Sequence, residues 1–372
     1  MRIVVLGLRG FPGVQGGVET HSEQLYTRIA AGGAEVIVLT RRPYVSAPQA
    51  RHGQVQLLAL ASPRQKSLEA IVHTFLGVLQ ARRLRPDILH IHAIGPSLMV
   101  PLARLLGLVV ITTNHGPDYE RQKWNGLARR MLKLGEWLGS RCSNGVIAIS
   151  EPIAQHLRQA HRCAPAVIPN GVVVRPPAEA SDALDRHGLA RGRYVLAVGR
   201  LVPEKGFHDL LAAFERARLP GWKLVIAGRA DHEDDYSRSL QRQAAGIEGV
   251  VLAGFVSGEP LRQLYSHAGL FVLPSYHEGL PIALLEAMSF GLPILASGIA
   301  ANRQVGLPAG RYFAAGDVAA LAAALQRQVE QGFAPEQRQR QIEAVARDYH
   351  WDRIASSTLD YYRAVLGRTR PA

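Results

Sequence analysis

A chain of 372 residues, 47% hydrophobic and 20% charged, describes a soluble globular protein long enough for two domains rather than a disordered or fibrous one. No run reaches the ~18 apolar residues of a membrane span; the longest candidate, Leu98 to Thr113, is broken by Pro101 and Arg104. The net charge of +13 is uneven: residues 1–175 carry 21 Lys/Arg against 9 Asp/Glu, or +12, and residues 176–372 carry 22 against 21, or +1. That excess points to a polyanionic partner for the first half: nucleic acid, an anionic membrane surface or a phosphorylated substrate. General solubility is the plain alternative. Two cysteines, Cys142 and Cys163, make neither a disulfide framework nor a metal cluster. With no signal-peptide signature at the N-terminus, the expected setting is the reduced cytoplasm.

The chain opens on a strand, Arg2 to Gly7, that runs into a loop containing Gly10, Gly13, Gly16 and Gly17. A helix begins around Val18 to Thr20, with Leu25, Ile29 and Ala30 on its inner face. Strand, glycine loop and helix N-terminus suit a nucleotide, but the G-x-G-x-x-G dinucleotide fingerprint is absent. Strands are predicted at 35–40, 54–60, 87–92 and 108–113, and helices at 67–84 and 98–106. His115 stands at the carboxyl end of the strand 108–113, where parallel sheets bind ligands. The segment 121–141 places Trp124, Leu127, Met131 and Leu138 at helical spacing, with Arg129, Arg130 and Lys133 nearby. A basic amphipathic helix of this kind can lie on an anionic membrane, or it can be an ordinary packed surface helix. Strands ending at Ser150 and near Asn170–Gly171 follow, and Val172 to Ala190, rich in Pro and Ala, is the best linker candidate.

A second α/β run starts at the strand Tyr194 to Gly199. It leads to Arg200, Lys205 and Gly206 and then a helix from Phe207. Two cations at a strand-to-helix loop suit a diphosphate, Arg as a planar fork and Lys as a point charge. Strands at 223–228 and 250–255 and helices at 235–245 and 259–268 lead to the stretch FVLPSYHEGLPIALLEAMSFGLPILAS, residues 271–297. Phe271 to Leu273 is a buried strand closed by Pro274. Gly279 centres a turn, Pro281 fits a helix's first turn, Gly291 fits its end, and a second strand follows. This βαβ unit offers backbone N–H groups to an anion, while Glu278 and Glu286, eight residues apart, offer acceptors to hydroxyls. Read from spacing alone, the two acids can equally be solvated. Helices at 317–331, 335–348 and 351–365 complete the chain.

Together G-R-x4-K-G at Gly199 to Gly206, EGLPIALLEA at Glu278 to Ala287, PNG at Pro169 to Gly171 and the pair Gly16–Gly17 resemble the GT-B glycosyltransferases of family 4, with Glu278 and Glu286 matching the E-x7-E motif. The resemblance runs in order over nearly the whole chain. RGFPGVQGGVET and NHGPDYERQKW are most similar to bacterial enzymes of surface-polysaccharide synthesis.

The resemblance implies an α/β GT-B fold of two Rossmann-like domains facing across a cleft. It assigns residues 1–175 to the acceptor, 190–350 to the nucleotide sugar and 351–372 to a helix returning to the first domain. It implies a retaining transfer with no metal and no cofactor. Arg200 and Lys205 would neutralise the leaving diphosphate, Glu278 would bind the donor sugar and Glu286 the ribose. His115 would stand near the donor sugar. Backbone at Gly279, Leu280, Gly199, Gly16 and Gly17 would meet sugar and phosphates, and Gly228, Phe255 and Val256 would hold the base; Asn170, in the matching PNG, is the remaining substrate-contact candidate. The implied donor is a nucleotide sugar, UDP-linked before GDP-mannose or dTDP-rhamnose. The implied acceptor is a glycan or a lipid-diphosphate-linked sugar at the inner face of the plasma membrane. A nucleotide-sugar epimerase of the same fold is the more distant alternative, against which the two cations and E-x7-E argue. Nucleic acid is discounted, because the basic residues form no recognition helix with stacking aromatics.

Overall fold

The structure is a computed structural model describing residues 1–369 except 46, 48, 63–65, 121–124 and 232, with the side chains of 66–68 also left aside. In chain order the first part comprises β1 (Arg2–Leu6), α1 (Gly17–Ala31), β2 (Glu35–Arg41), β3 (Gln49–His52), β4 (Val55–Leu60), α2 (Lys66–Leu84), β5 (Ile88–His92), α3 (Val100–Leu105), β6 (Val110–Asn114), α4 (Gly126–Cys142), β7 (Gly145–Ala148), α5 (Glu151–His161) and β8 (Ala166–Val167). The second comprises α6 (Asp182–Asp185), β9 (Tyr194–Val198), α7 (Phe207–Ala217), β10 (Lys223–Ala227), α8 (Asp235–Ala245), β11 (Val250–Gly254), α9 (Gly258–His267), β12 (Leu270–Leu273), α10 (Ile282–Ser289), β13 (Ile294–Ser297), α11 (Ala300–Arg303), β14 (Tyr312–Phe313), α12 (Val318–Gln331) and α13 (Pro335–Asp348). The chain ends with α14 (Trp351–Thr369). It divides into two compact units, Met1–Asn170 with Trp351–Ala372, and Gly171–His350.

The first unit is built on an eight-stranded sheet in the order β3-β4-β2-β1-β5-β6-β7-β8. Its strands pair in parallel except β3 with β4. Strands β5 and β6 are buried along their whole length. Helices on both faces of a parallel sheet require that, so the polar His90, His92, Thr112, Thr113 and Asn114 lie inside along with the apolar residues. On one face Val4, Leu6, Leu89, Ile91 and Val110 join Val78 and Ala81 of α2 and Val100 and Ala103 of α3 in one core. Helix α14 belongs to this unit: its Asp352 pairs with Arg28 of α1 at 2.6 Å, and the Tyr361 hydroxyl accepts from the Val146 N–H at 3.0 Å.

The second unit carries a six-stranded parallel sheet in the order β11-β10-β9-β12-β13-β14. Its core joins Val195, Ala197, Leu224, Ile226, Leu270 and Val272 of the sheet to Leu210, Leu211 and Phe214 of α7 and Leu321 and Leu325 of α12.

Three local expectations change. The strand expected at 54–60 is half of a hairpin: Gln49–His52 pairs antiparallel with it at the sheet edge. A QARH edge strand has no apolar alternation to announce it. The helix expected at 98–106 is a 3-10 turn, Pro96–Met99, followed by α3, with Pro101 in the first helical turn where its missing N–H costs nothing. The linker candidate 172–190 packs on the second unit. Ala183 and Leu184 are buried, the Ala178 N–H donates to Ser266 Oγ at 2.8 Å, and the Ala183 N–H donates to Gln263 Oε1 at 2.8 Å. Pro and Ala composition says nothing about such anchoring. Trp124 lies outside the described residues.

Candidate active site

In the second unit the strand β12 ends at Leu273, and Pro274 and Ser275 lead to the Glu278 loop and α10. The turn before α7 meets this loop closely. A Cβ at Gly206 would lie 2.3 Å from the Pro274 carbonyl oxygen, and Gly206 has φ +66°, so glycine is required twice over. The contact brings Lys205 to the loop. Its Nζ lies 2.6 Å from Glu278 Oε1, and the Ser275 hydroxyl donates to the same oxygen at 2.6 Å. Both charged side chains are largely buried, 18% and 9% exposed. Both bonds fall on Oε1, so Glu278 Oε2 has no protein donor among the described residues. The Ser297 hydroxyl donates to the Ser275 carbonyl, and Asn302 Nδ2 to the Ser297 carbonyl at 2.9 Å, which ties the loop to the end of β13.

Arg200, after β9, pairs with Asp231 at 2.8 Å. Each of the two expected cations thus has its own carboxylate, and the four groups sum to zero formal charge. Sequence reasoning could not find this, because Lys205 and Glu278 stand 73 residues apart.

Glu286 projects from the fifth position of α10, whose N-cap is Pro281. Tyr265 donates its hydroxyl to Glu286 Oε2 at 3.0 Å. Burial pushes the Glu286 carboxyl up to about 7, with the Tyr265 bond acting weakly the other way. Tyr265 in turn stacks on Phe290, ring centroids 5.5 Å apart, which fixes the phenol. The remaining candidates occupy strand ends. Gly199 donates its N–H to Ala227 O at 3.0 Å and Gly228 to Gly254 O at 2.7 Å. The Arg229 guanidinium lies over the Phe255 ring at 5.2 Å, and Val256 follows in the turn before α9. Gly279 stays partly exposed in the loop, whereas Leu280 is buried, so its side chain anchors the loop and only its backbone can face a ligand.

In the first unit His115 follows β6, with Nε2 3.0 Å from His92 Nδ1. His21 of α1 stacks edge-on against His115, and its Nδ1 lies 2.9 Å from Asn170 Oδ1. Asn170 is therefore a partner of His21, buried to 4% exposure. Burial lowers the imidazole of His21 to about 4 and that of His90 to about 3, and pushes His92 and His115 well below the ordinary value. Neutral rings can then hold a hydrogen-bond network: Tyr26 bonds both His90 and His92, and His90 also bonds Tyr362 of α14 and Thr113. Sequence reasoning missed His21, His90 and His92. A signal existed for two of them, since positions i and i+2 of a strand share a face.

At the glycine loop the two glycines differ. A Cβ at Gly16 would strike Glu19 Oε2 at 2.1 Å, where Glu19 pairs with Arg9 at 3.0 Å, whereas nothing lies within 4 Å of one at Gly17. A side chain at Gly16 would have to displace the Glu19 carboxylate, whereas open space stands over Gly17. Among the described residues two groups of side chains have metal-ligand spacing: His21, His92 and His115, and Glu136, His156 and His161.

Two family models match the chain: Glycosyltransferase Family 4 over residues 15–175 and Glycosyl transferases group 1 over residues 184–348. The chain is 28% identical to a glycogen synthase of Mycobacterium tuberculosis, covering 98% of this chain and 95% of the relative. It is 28% identical to the GDP-mannose:cellobiosyl-diphosphopolyprenol alpha-mannosyltransferase of Xanthomonas campestris, covering 87% and 86%. Among solved structures it matches Anabaena HepE in complex with UDP-glucose, with TM-score 0.81, 18% identity, and coverage of 98% of this chain and 100% of that one.

Proposed function

Because the chain belongs to family 4 of the GT-B glycosyltransferases and is a hexosyltransferase, we propose that it moves a hexosyl unit from a nucleotide sugar, UDP-linked in the first instance, to a lipid-diphosphate-linked sugar, with retention at the anomeric carbon. The observation that carries this reading is the Lys205–Glu278 pair. A sugar joined directly to a phosphate presents hydroxyl donors beside oxygen acceptors. The pair offers the complement: an ammonium for the phosphate and, one bond away, a carboxylate whose Oε2 can accept from a sugar hydroxyl. The second hydroxyl acceptor is Glu286, for the ribose. As the bond to the anomeric carbon breaks, charge gathers on the leaving diphosphate; Lys205 and Arg200 then gain more than they do in the ground state, which is the condition for catalysis. The departing phosphate oxygen takes the acceptor's proton, so the reading needs neither a protein base nor a metal.

The relatives support the substrate classes and disagree on the base. The Xanthomonas enzyme's name gives GDP-mannose and a diphosphopolyprenol acceptor, and the HepE structure holds UDP-glucose. A thermal-shift panel of UDP-, GDP- and dTDP-sugars selects the donor, since a ligand of the native state raises its stability. Transfer onto a polyprenyl-diphosphate sugar follows, with EDTA present and the product's anomeric configuration read by NMR. Retained configuration and undiminished activity in EDTA at 25 °C are expected. An inverted product, or activity that returns only with divalent metal, overturns the reading.

A peripheral membrane location has its own support in α4. The helix buries small or polar residues, Gly135, Glu136, Gly139 and Ser140, and turns outward Leu127, Leu134 and Trp137 (69%, 48% and 47% exposed) among Arg129, Arg130 and Lys133. Apolar and basic groups sharing an exposed face suit an anionic bilayer surface. No described helix is long and apolar enough to cross a membrane.

A further inference from the structure

The second cluster with metal-ligand spacing lies between α4 and α5 and plays no part in the proposed transfer. Glu136, 3% exposed, projects from the inner face of α4. Its Oε1 accepts from Asn114 Nδ2 at 3.1 Å. Three further groups converge on its Oε2: His161 Nε2 at 3.0 Å, His156 Nε2 at 3.1 Å and the Tyr119 hydroxyl at 3.2 Å, with Tyr119 and His156 Nε2 themselves 3.1 Å apart. A carboxylate oxygen has two lone-pair sites. If both imidazoles carry their proton on Nε2, three donors, two of them in contact, crowd one oxygen. In the other tautomer, with the proton on Nδ1, each Nε2 presents a lone pair instead, and a cation among these atoms turns the crowding into coordination.

We propose that Glu136, His156 and His161 form a site for one divalent first-row cation, zinc in the first instance, that staples α5 to α4. The donor set of two imidazole nitrogens and a carboxylate is borderline-hard and suits Zn²⁺. Zinc bonds of about 2.0–2.1 Å at tetrahedral angles set ligand atoms about 3.3 Å apart, so the 3.0 and 3.1 Å separations need to open by only a few tenths of an ångström. Asn114 orients the carboxylate from behind, as an outer partner of a metal ligand does. The fourth position falls beside the Tyr119 hydroxyl, and the His156 side chain, 42% exposed, gives the ion its path in. The ligands come from both helices, so the bound ion fixes the register of α4 against α5.

The test uses the full chain, stripped with EDTA and dialysed, then titrated with zinc chloride by calorimetry and followed by thermal unfolding. One zinc per chain is expected, with Tm rising by about 5 °C at a hundredfold excess over Kd. His156→Gln, at a half-exposed position, should keep the native circular dichroism and bind zinc at least tenfold more weakly; His156→Gln with His161→Gln should abolish binding and the Tm shift. His115→Ala, which breaks the other histidine group, should leave zinc binding unchanged. No zinc binding by the wild-type chain, binding that survives the double substitution, or binding lost only on His115→Ala overturns the proposal.

Discussion

Both units hand loops from parallel strands to helix N-termini, yet the candidate residues at those strand ends sit in different polar surroundings. The first unit gathers His21, His90, His92 and His115, held neutral by burial and joined through Tyr26, Tyr362, Thr113 and Asn170. The second gathers charges in pairs, Lys205 with Glu278 and Arg200 with Asp231, beside Glu286, whose carboxyl burial pushes up. One architecture therefore carries two chemistries, and the chemistry follows the side chains at the strand ends rather than the fold. Neutral rings position groups with little charge cost, whereas ion pairs can exchange partners with a charged ligand.

The sharpest way to break the contrast is to remove a charge from the second unit. Lys205→Ala should lower sugar transfer about 100- to 1000-fold, roughly 3–4 kcal/mol of transition-state stabilisation, with circular dichroism unchanged. Full activity in that variant sinks the catalytic reading.

The two units should also answer pH with opposite signs. His21 has a folded pKa of about 4 against 6.5 for the free group. Its neutral form is the native one, so its contribution is complete above pH 6.5 and is lost as pH falls toward 4, by roughly 3 kcal/mol. Urea unfolding at pH 7.5 and 4.5 should show that loss in the wild type and a smaller loss in His21→Asn; equal slopes contradict the assignment. Glu286 runs the other way, because its folded pKa of about 7 lies above its free value of 4.5. The native state then holds more protons than the unfolded chain between those values, and stability falls as pH rises through them. Part of Glu286 remains open to solvent, so about 2 kcal/mol is expected rather than the full shift. Glu286→Gln should flatten that fall, and a variant with the wild-type slope rules it out.

The smallest effect belongs to α4. Arg129→Ala or Arg130→Ala should each weaken binding to phosphatidylserine vesicles about fivefold, near 1 kcal/mol. Cosedimentation unchanged by either removes the membrane role.

How far the sequence reached follows from what pattern can encode. The alternation of apolar strands and amphipathic helices is local, and so β1, β5, β6, β9, β12 and α10 were legible, as was the returning α14 through the family likeness. The edge strand Gln49–His52 had no alternation to read. The segment 172–190 looked like a linker because its anchors, Ser266 and Gln263, lie 80 and more residues away. Individual candidate residues could be picked from local pattern and family likeness, whereas their partners could not. Lys205 could be picked from its loop, but not its bond to Glu278. His115 could be picked from its strand end, but not the histidines behind it. The Glu136 cluster draws on residues 114, 119, 136, 156 and 161, which no periodicity links.

The central claim is that one ion pair reads both halves of a sugar phosphate, and calorimetric binding tests it directly. The free nucleoside diphosphate and its hexosyl form, UDP- or GDP-linked as the thermal-shift panel selects, are titrated into wild type, Lys205→Ala and Glu278→Gln. Lys205→Ala should weaken both ligands by at least tenfold. Glu278→Gln should weaken only the sugar-bearing ligand, leaving the diphosphate bound as well as before or better, since Lys205 is freed. Equal loss of both ligands in Glu278→Gln would contradict the account.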